Sequence, residues 1–571
     1  MNRSARLACV LFALIIAAGV AQPQTAPDQG LAAPPVITST TRLVQVSVVA
    51  KEKGGEPAAG MKAEDFRVLV DGRPQKISFF SSESTGMSPA ASAPLPPDTF
   101  TNILAARGQA INGITVVLLD LVNTRMADRM YARQQLIKYL EEIQPQDRIG
   151  VYVFSGRLLV LHDYTADMSA FQRQLADAKN RMIGVSATEQ PGALGGEQGE
   201  FDRAIQGGGG TPQERQFYMR NRILGTLAVF KFIANHLERV PGRKNLIWVS
   251  GAFPTIFGYQ GTNNMGEDFI DEVDSTVRAL SQANVAVYPI DARGLTTPSG
   301  FSASQASSNS ASSRISAMPG SGQGASNRPA TGPRPGGGAG QNAAHATMDD
   351  LAHRTGGHAY YNTNDLARAI HEAVADSTLT YTIGFYPADE KNDRDFHKIK
   401  IEAVGRRVSL HYRSGYLDVP RASQDERQRL LQLHDTLWSP LDATELGLTV
   451  HAARSTAPPG SSSGLPAGAP TLDLLVTIQP DGVQLKQDGD RYEGRLDLLM
   501  VQRDSKGNEI DGPLDTIELK LLGDTYRKFA TAGLPLRRTM ALSPRAETLR
   551  IVVRDAGSGM IGSLTVPLKG L

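Results

Sequence analysis

The sequence has almost no cysteine, since Cys9 is the single one among 571 residues. Cys9 lies inside an N-terminal segment that has the features of a secretory signal, so the chain left after its removal has none. This excludes disulfide bonds, a thiol nucleophile and cysteine-based zinc sites. An exported protein without disulfides must be held together by its hydrophobic cores.

The N-terminal segment has a positive start and a short apolar centre. Arg3 and Arg6 precede the apolar stretch Leu7–Ala18, and small residues follow at Gly19-Val20-Ala21. This pattern predicts a signal peptide over residues 1–21. The apolar stretch is too short to span a bilayer. We therefore expect the protein to be exported, to the periplasm or to the exterior of the cell.

The sequence also lacks an excess of either charge. The 59 lysines and arginines include Arg3 and Arg6, so 57 remain in the exported chain against 58 acidic residues. Such a balance argues against binding nucleic acid through overall charge. No later apolar run is long enough for a membrane span, so we expect no transmembrane segment after signal removal.

One stretch organises the rest of the chain, the run ITVVLLDLVNT at Ile114–Thr124. It begins with continuous apolar residues and reaches a single carboxylate at Asp120. A continuous apolar run indicates a strand buried on both faces, as in a parallel sheet covered by helices. Ligands of such sheets bind at the carboxyl ends of the strands, which is where Asp120 lies.

From residue 111 to residue 388 apolar strands alternate with segments of helical periodicity. This alternation predicts an α/β fold with a doubly wound, mostly parallel sheet and helices on both faces. The Ser-, Gly-, Ala- and Pro-rich stretch 296–342 has almost nothing to bury, so it is predicted to be a disordered insert. It follows strand Val285–Ile290 and so leaves from the same edge as Asp120.

Shorter β patterns flank this central domain. Val44, Val46 and Val48 alternate with polar residues, and Asp71-Gly72 marks a hairpin, so residues 37–83 are predicted to form an N-terminal β module. Residues 389–417 are predicted to be a β extension, whose strands pair with each other or with that module. Residues 441–571 carry regularly spaced strands and turns typical of an immunoglobulin-like C-terminal β-sandwich.

Several segments besides Ile114–Thr124 carry a recognisable pattern when taken together. They are DFRVLVDGRPQKISFFS at Asp65–Ser81, RIGVYVFS at Arg148–Ser155, LVLHDYTAD at Leu159–Asp167, PGRKNLIWVSGAFP at Pro241–Pro254, VAVYPIDARGL at Val285–Leu295 and LAHRTGGHAYYNTNDL at Leu351–Leu366. This set resembles the von Willebrand factor type A domain, in the form found in secreted VWFA-related proteins of the acidobacterial type. The resemblance covers about residues 40–417 and is specific as a set.

The resemblance implies a metal-ion-dependent adhesion site, in which Mg²⁺ is held by Asp-x-Ser-x-Ser, a loop Thr and a second Asp. Asp120 matches the first Asp and Thr124 the second Ser. Val122 stands in place of the first Ser, and Ser250 in place of the second Asp. Thr211 is a weak match for the loop Thr. Because hard cations need a sufficient set of oxygen ligands, the adhesion site is predicted to be degenerate.

Two interpretations of these residues remain open. Asp120 and Thr124 could bind Mg²⁺ with help from Asn123 or Asp291, or they could cap the following loop and helix by hydrogen bonds. The second interpretation is preferred, so no cofactor is expected and Mg²⁺ is the alternative. The predicted partner-binding rim at the strand ends consists of Asp120, Asn123, Thr124, Ser250 and Asp291.

No segment carries a recognisable catalytic motif, and no catalytic residues are predicted. Ser155 and Ser250 lack the flanking glycines of a nucleophile elbow. His371-Glu372 begins a zincin-like string that lacks its second histidine. His162-Asp163 is better explained as part of a strand-to-helix turn.

The leading prediction is therefore an exported, non-enzymatic protein of the adhesion type that binds a protein partner at the rim. A structural or assembly component of the cell envelope acting through its β modules is the alternative, and a hydrolase of unknown substrate is the second alternative. Neither the partner nor the oligomeric state follows from the sequence.

Overall fold

Three sheet regions make up the part of the chain that a computed structural model describes. The described residues are 43–84, 95–103, 113–142, 148–163, 211–251, 269–294, 338–363, 365–387, 396–417, 426–457, 466–512 and 514–571. The predicted signal peptide 1–21 and most of the predicted insert 296–342 lie outside them. Residues Leu43–Leu571 belong to one compact unit.

The central sheet has five strands, and four of them are parallel. The strands are β6 (Ile114–Asp120), β7 (Ile149–Phe154), β8 (Leu158–His162), β9 (Lys244–Ser250) and β10 (Val285–Asp291). Their order is β10-β9-β6-β7-β8, and β8 runs antiparallel to β7. Every residue of β6 is buried, as the continuous apolar run predicts.

Helices cover both faces of this sheet. They are α1 (Met126–Glu142), α2 (Pro212–Leu237), α3 (Ile270–Gln282), α4 (Gly338–Thr355) and α5 (Leu366–Ala375). Val116 and Leu118 of β6 pack with α2, α3 and α4, whereas Val117 and Leu119 pack with α1 and α5. Successive strand residues point to opposite faces, so a strand buried on both sides is apolar throughout.

Thr211 and Glu214 fix the start of α2. The Thr211 hydroxyl accepts from Glu214 N at 3.2 Å, and Glu214 Oε2 accepts from Thr211 N at 2.7 Å. This is a capping box, and Pro212 fills the first helical position, where no backbone donor is needed. Thr211 therefore serves as a helix cap, whereas the resemblance assigned it weakly to a metal loop.

The N-terminal β module takes strands from both sides of the central domain. Its strands are β1 (Val44–Lys51), β2 (Phe66–Val70), β3 (Arg73–Gln75), β4 (Ile77–Ser84), β11 (Leu379–Phe385), β12 (Phe396–Ala403), β13 (Ser409–His411) and β14 (Gly415–Leu417). They form two sheets of order β13-β1-β11-β4 and β14-β12-β2-β3.

The pairing of β11 places this strand outside the central domain, which was expected to extend to residue 388. β11 runs antiparallel between β1 and β4, so it belongs to the β module and not to the central sheet. Both pairings left open for residues 389–417 are present, since β12 pairs with β14 of the same segment and with β2 of the N-terminal module. The expected hairpin is present at Asp71-Gly72, where both residues have positive φ, as a two-residue turn of this kind requires.

The C-terminal region consists of two facing antiparallel sheets with helix α6 (Glu426–Trp438) on one side. One sheet has the order β21-β16-β15-β5 and the other β17-β18-β22-β23, with β19 and β20 also paired to β18. The strands are β5 (Thr99–Thr101), β15 (Leu448–Thr456), β16 (Pro470–Ile478), β17 (Lys486–Asp488), β18 (Arg491–Arg503), β19 (Glu509–Asp511), β20 (Leu514–Leu522), β21 (Leu534–Ala541), β22 (Thr548–Asp555) and β23 (Ile561–Pro567).

Two features of this region are absent from the sequence prediction. Helix α7 (Gly523–Ala532) connects β20 to β21, and strand β5, which comes from the segment before the central domain, pairs with β15. In the central domain, α4 begins at Gly338, so the last five residues of the predicted disordered insert are helical. Within the described ranges, no helix is both long enough and apolar enough to cross a membrane. The mixed α/β class predicted from the sequence is confirmed.

Candidate functional site

Parallel pairing brings three polar residues to one edge of the central sheet. Asp120 at the end of β6 is in register with Ser250 at the end of β9, which is in register with Asp291 at the end of β10. Asp291 therefore lies two strands from Asp120. The carboxyl ends of these strands form the candidate site.

The carboxylate of Asp120 is surrounded by hydrogen-bond donors. Asn123 N donates to Oδ1 at 3.0 Å, while Asn123 Nδ2 and Trp248 Nε1 donate to Oδ2 at 2.6 and 3.0 Å. The Ser250 hydroxyl donates to Oδ2 at 3.4 Å. Three of these donors point to Oδ2 and one to Oδ1, and each carboxylate oxygen has about two acceptor positions, so they fill Oδ2 and leave one position on Oδ1.

Asn123 connects this carboxylate to helix α2. Its amide nitrogen donates to Thr226 Oγ1 at 2.8 Å, and its Oδ1 accepts from Arg222 Nε and NH2 at 3.1 and 2.8 Å. Arg222 and Thr226 are one helical turn apart and face the same side. The positive side chain of Arg222 is thus linked to the buried carboxylate of Asp120 through the side chain of Asn123.

Thr124 connects the network to the backbone at the ends of β6 and β9. Its hydroxyl donates to Asp120 O at 2.5 Å and accepts from Gly251 N at 2.9 Å. Arg129 Nε donates to Thr124 O at 2.9 Å. A Cβ at residue 251 would lie 3.1 Å from Thr124 Cα, so glycine permits this close approach of β9 to the loop after β6. The Thr124 hydroxyl therefore joins the end of β6 to the residue that follows β9.

Burial raises the pKa of Asp120. The hydrogen bonds from Asn123 and Trp248 and the charge of Arg222 favour the carboxylate and oppose that effect. The donors and Arg222 therefore compensate, in part, for the cost of placing a carboxylate in the sheet.

Asp291 belongs to a separate cluster. Arg293 donates to both of its carboxylate oxygens, and His345 Nε2 lies 3.0 Å from Oδ2. The His345 ring stacks on Tyr361, with centroids 4.5 Å apart. Four of the predicted rim residues therefore share one hydrogen-bond network, whereas Asp291 belongs to another.

All five predicted rim side chains are buried, with exposures between 0 and 3%. Exposed side chains lie next to them, and we call this set the outer ring. Arg125 follows Thr124, Phe217 and Arg220 precede Arg222 on α2, Ile270 begins α3, and Tyr361 covers His345. Phe217, Ile270 and Tyr361 are 57, 49 and 40% exposed.

Two contacts of the outer ring are defined. Tyr361 stacks on His345 of the Asp291 cluster, and the Arg220 guanidinium lies 5.3 Å from the ring centroid of Phe269, which links α2 to the start of α3. Sequence reasoning missed the outer ring and also missed Arg222 and Trp248. The polar pair at positions 222 and 226 within an otherwise apolar helical stripe was a usable signal, because such a pair faces the sheet.

Asp120 and Thr124 offer Mg²⁺ few free oxygen positions in this arrangement. Mg²⁺ requires several oxygen ligands with lone pairs free to coordinate it. Oδ2 of Asp120 is filled by two N–H donors and one O–H donor, and the indole nitrogen of Trp248 is a donor only. The Thr124 hydroxyl already both donates and accepts.

The histidines considered as catalytic candidates have local partners. His162 is buried in β8, whereas Asp163 accepts from Tyr152 OH at 2.9 Å and lies near His236, so the adjacent residues face different neighbours. His371 Nδ1 lies 2.9 Å from the Ala367 carbonyl oxygen, and its ring packs edge-on against Tyr139. These contacts are those of structural side chains.

Comparison with known proteins gives little further information. No known protein-family model matches the chain, and no curated protein matches it. Among solved structures, the chain is similar to an aerotolerance-related membrane protein from Bacteroides fragilis, with 14% identity, a TM-score of 0.23, and coverage of 46% of this chain and 98% of that one. At this TM-score the likeness carries no argument about fold or function.

Proposed function

We propose that this chain is an exported, non-enzymatic protein that binds a protein partner at the strand-end edge of a von Willebrand factor A-like domain. The observation that carries the proposal is the outer ring. Large apolar, aromatic and arginine side chains are exposed there beside a rigid buried network. Aromatic residues and arginine are the types enriched at the energetic centres of protein interfaces.

The domain assignment has support of its own. Four parallel strands in the order β10-β9-β6-β7, an antiparallel β8 and helices on both faces support the proposal of a doubly wound arrangement. The adhesion-site position Asp120 lies at the carboxyl end of the middle strand. Ligands of open α/β sheets bind at that end of the strands.

The proposed mode of binding differs from that of a metal-dependent adhesion site. Because Oδ2 of Asp120 is filled by donors of the chain and the Thr124 hydroxyl is held in two hydrogen bonds, we propose that the edge works without a metal. The buried network holds the loop after β6 and the start of α2 in place, and the outer ring makes the contacts with the partner. Holding contact residues in place before binding lowers the entropic cost of association.

The outer ring can be tested by capture from envelope extracts with the mature chain as bait. Phe217→Ser and Tyr361→Ser together should lose a partner that the wild-type chain retains, because two exposed anchors are removed without disturbing the core. Val404→Ser is the matched control, since Val404 is 44% exposed and belongs to the β module. Equal capture by all three baits would exclude the outer ring as the contact surface.

The alternative role, an assembly component acting through the β modules, also has a specific observation. Helix α6 exposes Leu430, Leu431 and Trp438, with 46, 52 and 49% of their surfaces accessible. If this face makes the contact, Leu430→Ser with Leu431→Ser removes capture while the outer-ring variant keeps it. The two pairs of variants therefore separate the two proposals.

A further inference from the structure

We propose that His236 is a protonation-controlled link between the central domain and the C-terminal sandwich. His236 lies near the end of α2 and is 7% exposed. The segment after α6, which leads into the sandwich, passes directly over it. The charge on this imidazole therefore acts where the two parts of the chain meet.

Both ring nitrogens of His236 face acceptors. Nδ1–H donates to the Asp442 carbonyl oxygen at 2.8 Å, and Nε2 lies 3.6 Å from Asp163 Oδ2. Only the imidazolium carries a proton on both nitrogens. In the neutral ring with Nδ1 protonated, the Nε2 lone pair would face the Asp163 carboxylate.

Charged and polar groups on the surrounding elements contact the partners of His236 or lie near its ring. From the central sheet, Tyr152 OH donates to Asp163 Oδ1 and orients that carboxylate. From the sandwich, Arg550 donates to the Asp442 carboxylate, so this second acidic group is already paired. Arg239, two residues after the end of the same helix, forms an ion pair with Asp481 at 3.9 Å.

Burial alone would lower the pKa of His236, but the hydrogen bond and charge of Asp163, together with Asp442, outweigh burial and raise it. A raised folded-state pKa means that protonation stabilises the docked arrangement. This stabilisation is complete below the ordinary histidine pKa of about 6.5 and is lost as the pH rises through the folded-state pKa.

The contact next to His236 provides a local measure of docking. Thr444 N donates to the Asn235 carbonyl oxygen at 2.9 Å, and the Thr444 hydroxyl lies 3.1 Å from the carbonyl oxygen of His236 itself. Leu441 from the same segment packs into the core of the central domain. When docking loosens, the Thr444 amide becomes open to exchange with solvent.

Hydrogen–deuterium exchange of the full mature chain tests the proposal through the peptide that contains Thr444. After correction for the intrinsic pH dependence of exchange, the wild-type protection factor should fall between pH 6 and pH 8.5, by about tenfold for each unit by which the pKa is raised. In His236→Gln the protection factor should be low and independent of pH.

His434→Gln is the matched control, because His434 is exposed on the neighbouring helix α6. It should retain the wild-type pH profile. Asp163→Asn should shift the midpoint to lower pH without removing the ring, which keeps the test valid if His236→Gln folds poorly. A flat wild-type profile, or a midpoint unchanged in Asp163→Asn, would overturn the proposal.

Discussion

Trp248 of β9 donates its indole N–H to the carboxylate of Asp120 on the adjacent parallel strand, at 3.0 Å. Both side chains are completely buried. The bond joins the two central strands by their side chains, in addition to the backbone ladder. It also places a donor where a metal-binding carboxylate would need a cation, which is why the edge is proposed to act without metal.

Asp120→Ala should destabilise the central domain by about 2–4 kcal/mol, because the indole and amide donors would be left buried without an acceptor. The check is a lower midpoint of the thermal transition that reports on the central sheet. Ser250→Ala should cost less than about 1 kcal/mol, since it removes only the longest of the four bonds. Equal losses in both variants would show that the network is not centred on the carboxylate.

Titration calorimetry with MgCl₂ and MnCl₂ should give no saturable heat for the mature chain at millimolar metal. The reason is that Oδ2 of Asp120 is filled by donors of the chain itself, which leaves few free oxygen positions for a hard cation. Saturable heat that disappears in Asp120→Asn would contradict this expectation and restore the adhesion-site interpretation.

Lys244 should make folding stability depend on pH. Burial lowers its pKa to about 7, although the charges of Glu238 and Glu83 oppose the shift. Between about pH 7 and the ordinary lysine value near 10.4, the unfolded chain holds a proton that the folded chain lacks, so stability rises with pH in that range.

The check on Lys244 is the thermal midpoint at pH 6 and at pH 9. In Lys244→Met no charge has to be buried, so its thermal midpoint at pH 6 should be higher than that of the wild type. The increase in the midpoint from pH 6 to pH 9 should be smaller than in the wild type. Lys400→Met, at an exposed lysine of β12, should behave as the wild type does. Parallel behaviour of the wild type and Lys244→Met would refute the assignment.

Gly357→Ala should be strongly destabilising. A Cβ at this position would lie 1.9 Å from the Val287 carbonyl oxygen, where the chain leaving α4 crosses β10. Relief requires backbone movement in the core, so we expect a loss of about 2–4 kcal/mol, measured by chemical denaturation. Gly54→Ala is the control, because no atom lies within 4 Å of the added Cβ. A loss no greater than that of the control would mean that the crossing adjusts freely.

The sequence predicts those parts of the fold that depend on local pattern. The apolar runs of β6, β9 and β10 are strands because burial on both faces demands continuous apolar residues, and the hairpin at Asp71-Gly72 follows from turn geometry. The pairing of β11 with β1 could not be predicted in this way, because antiparallel partners far apart in sequence leave no local signal.

The position of the candidate site was predictable from the sequence, but its hydrogen bonds were not. Sheet topology predicts that Asp120, Ser250 and Asp291 meet at one edge. It does not reveal that Trp248 and Asn123 donate to the carboxylate, because hydrogen-bond direction depends on side-chain geometry. The exposure of Phe217 and Tyr361 likewise depends on packing that no periodicity encodes.

The ladder between β4 and β11 also has a consequence under a pulling force. Ser84 lies opposite Leu379 at one end of this antiparallel pair, and Ile77 and Phe385 form the other end. Tension applied between the segment before β4 and the segment after β11 would separate the pairs from the Ile77–Phe385 end first. The hydrogen bonds of this ladder would therefore bear the load before the chain between Ser84 and Leu379, which includes the central sheet and its strand-end edge.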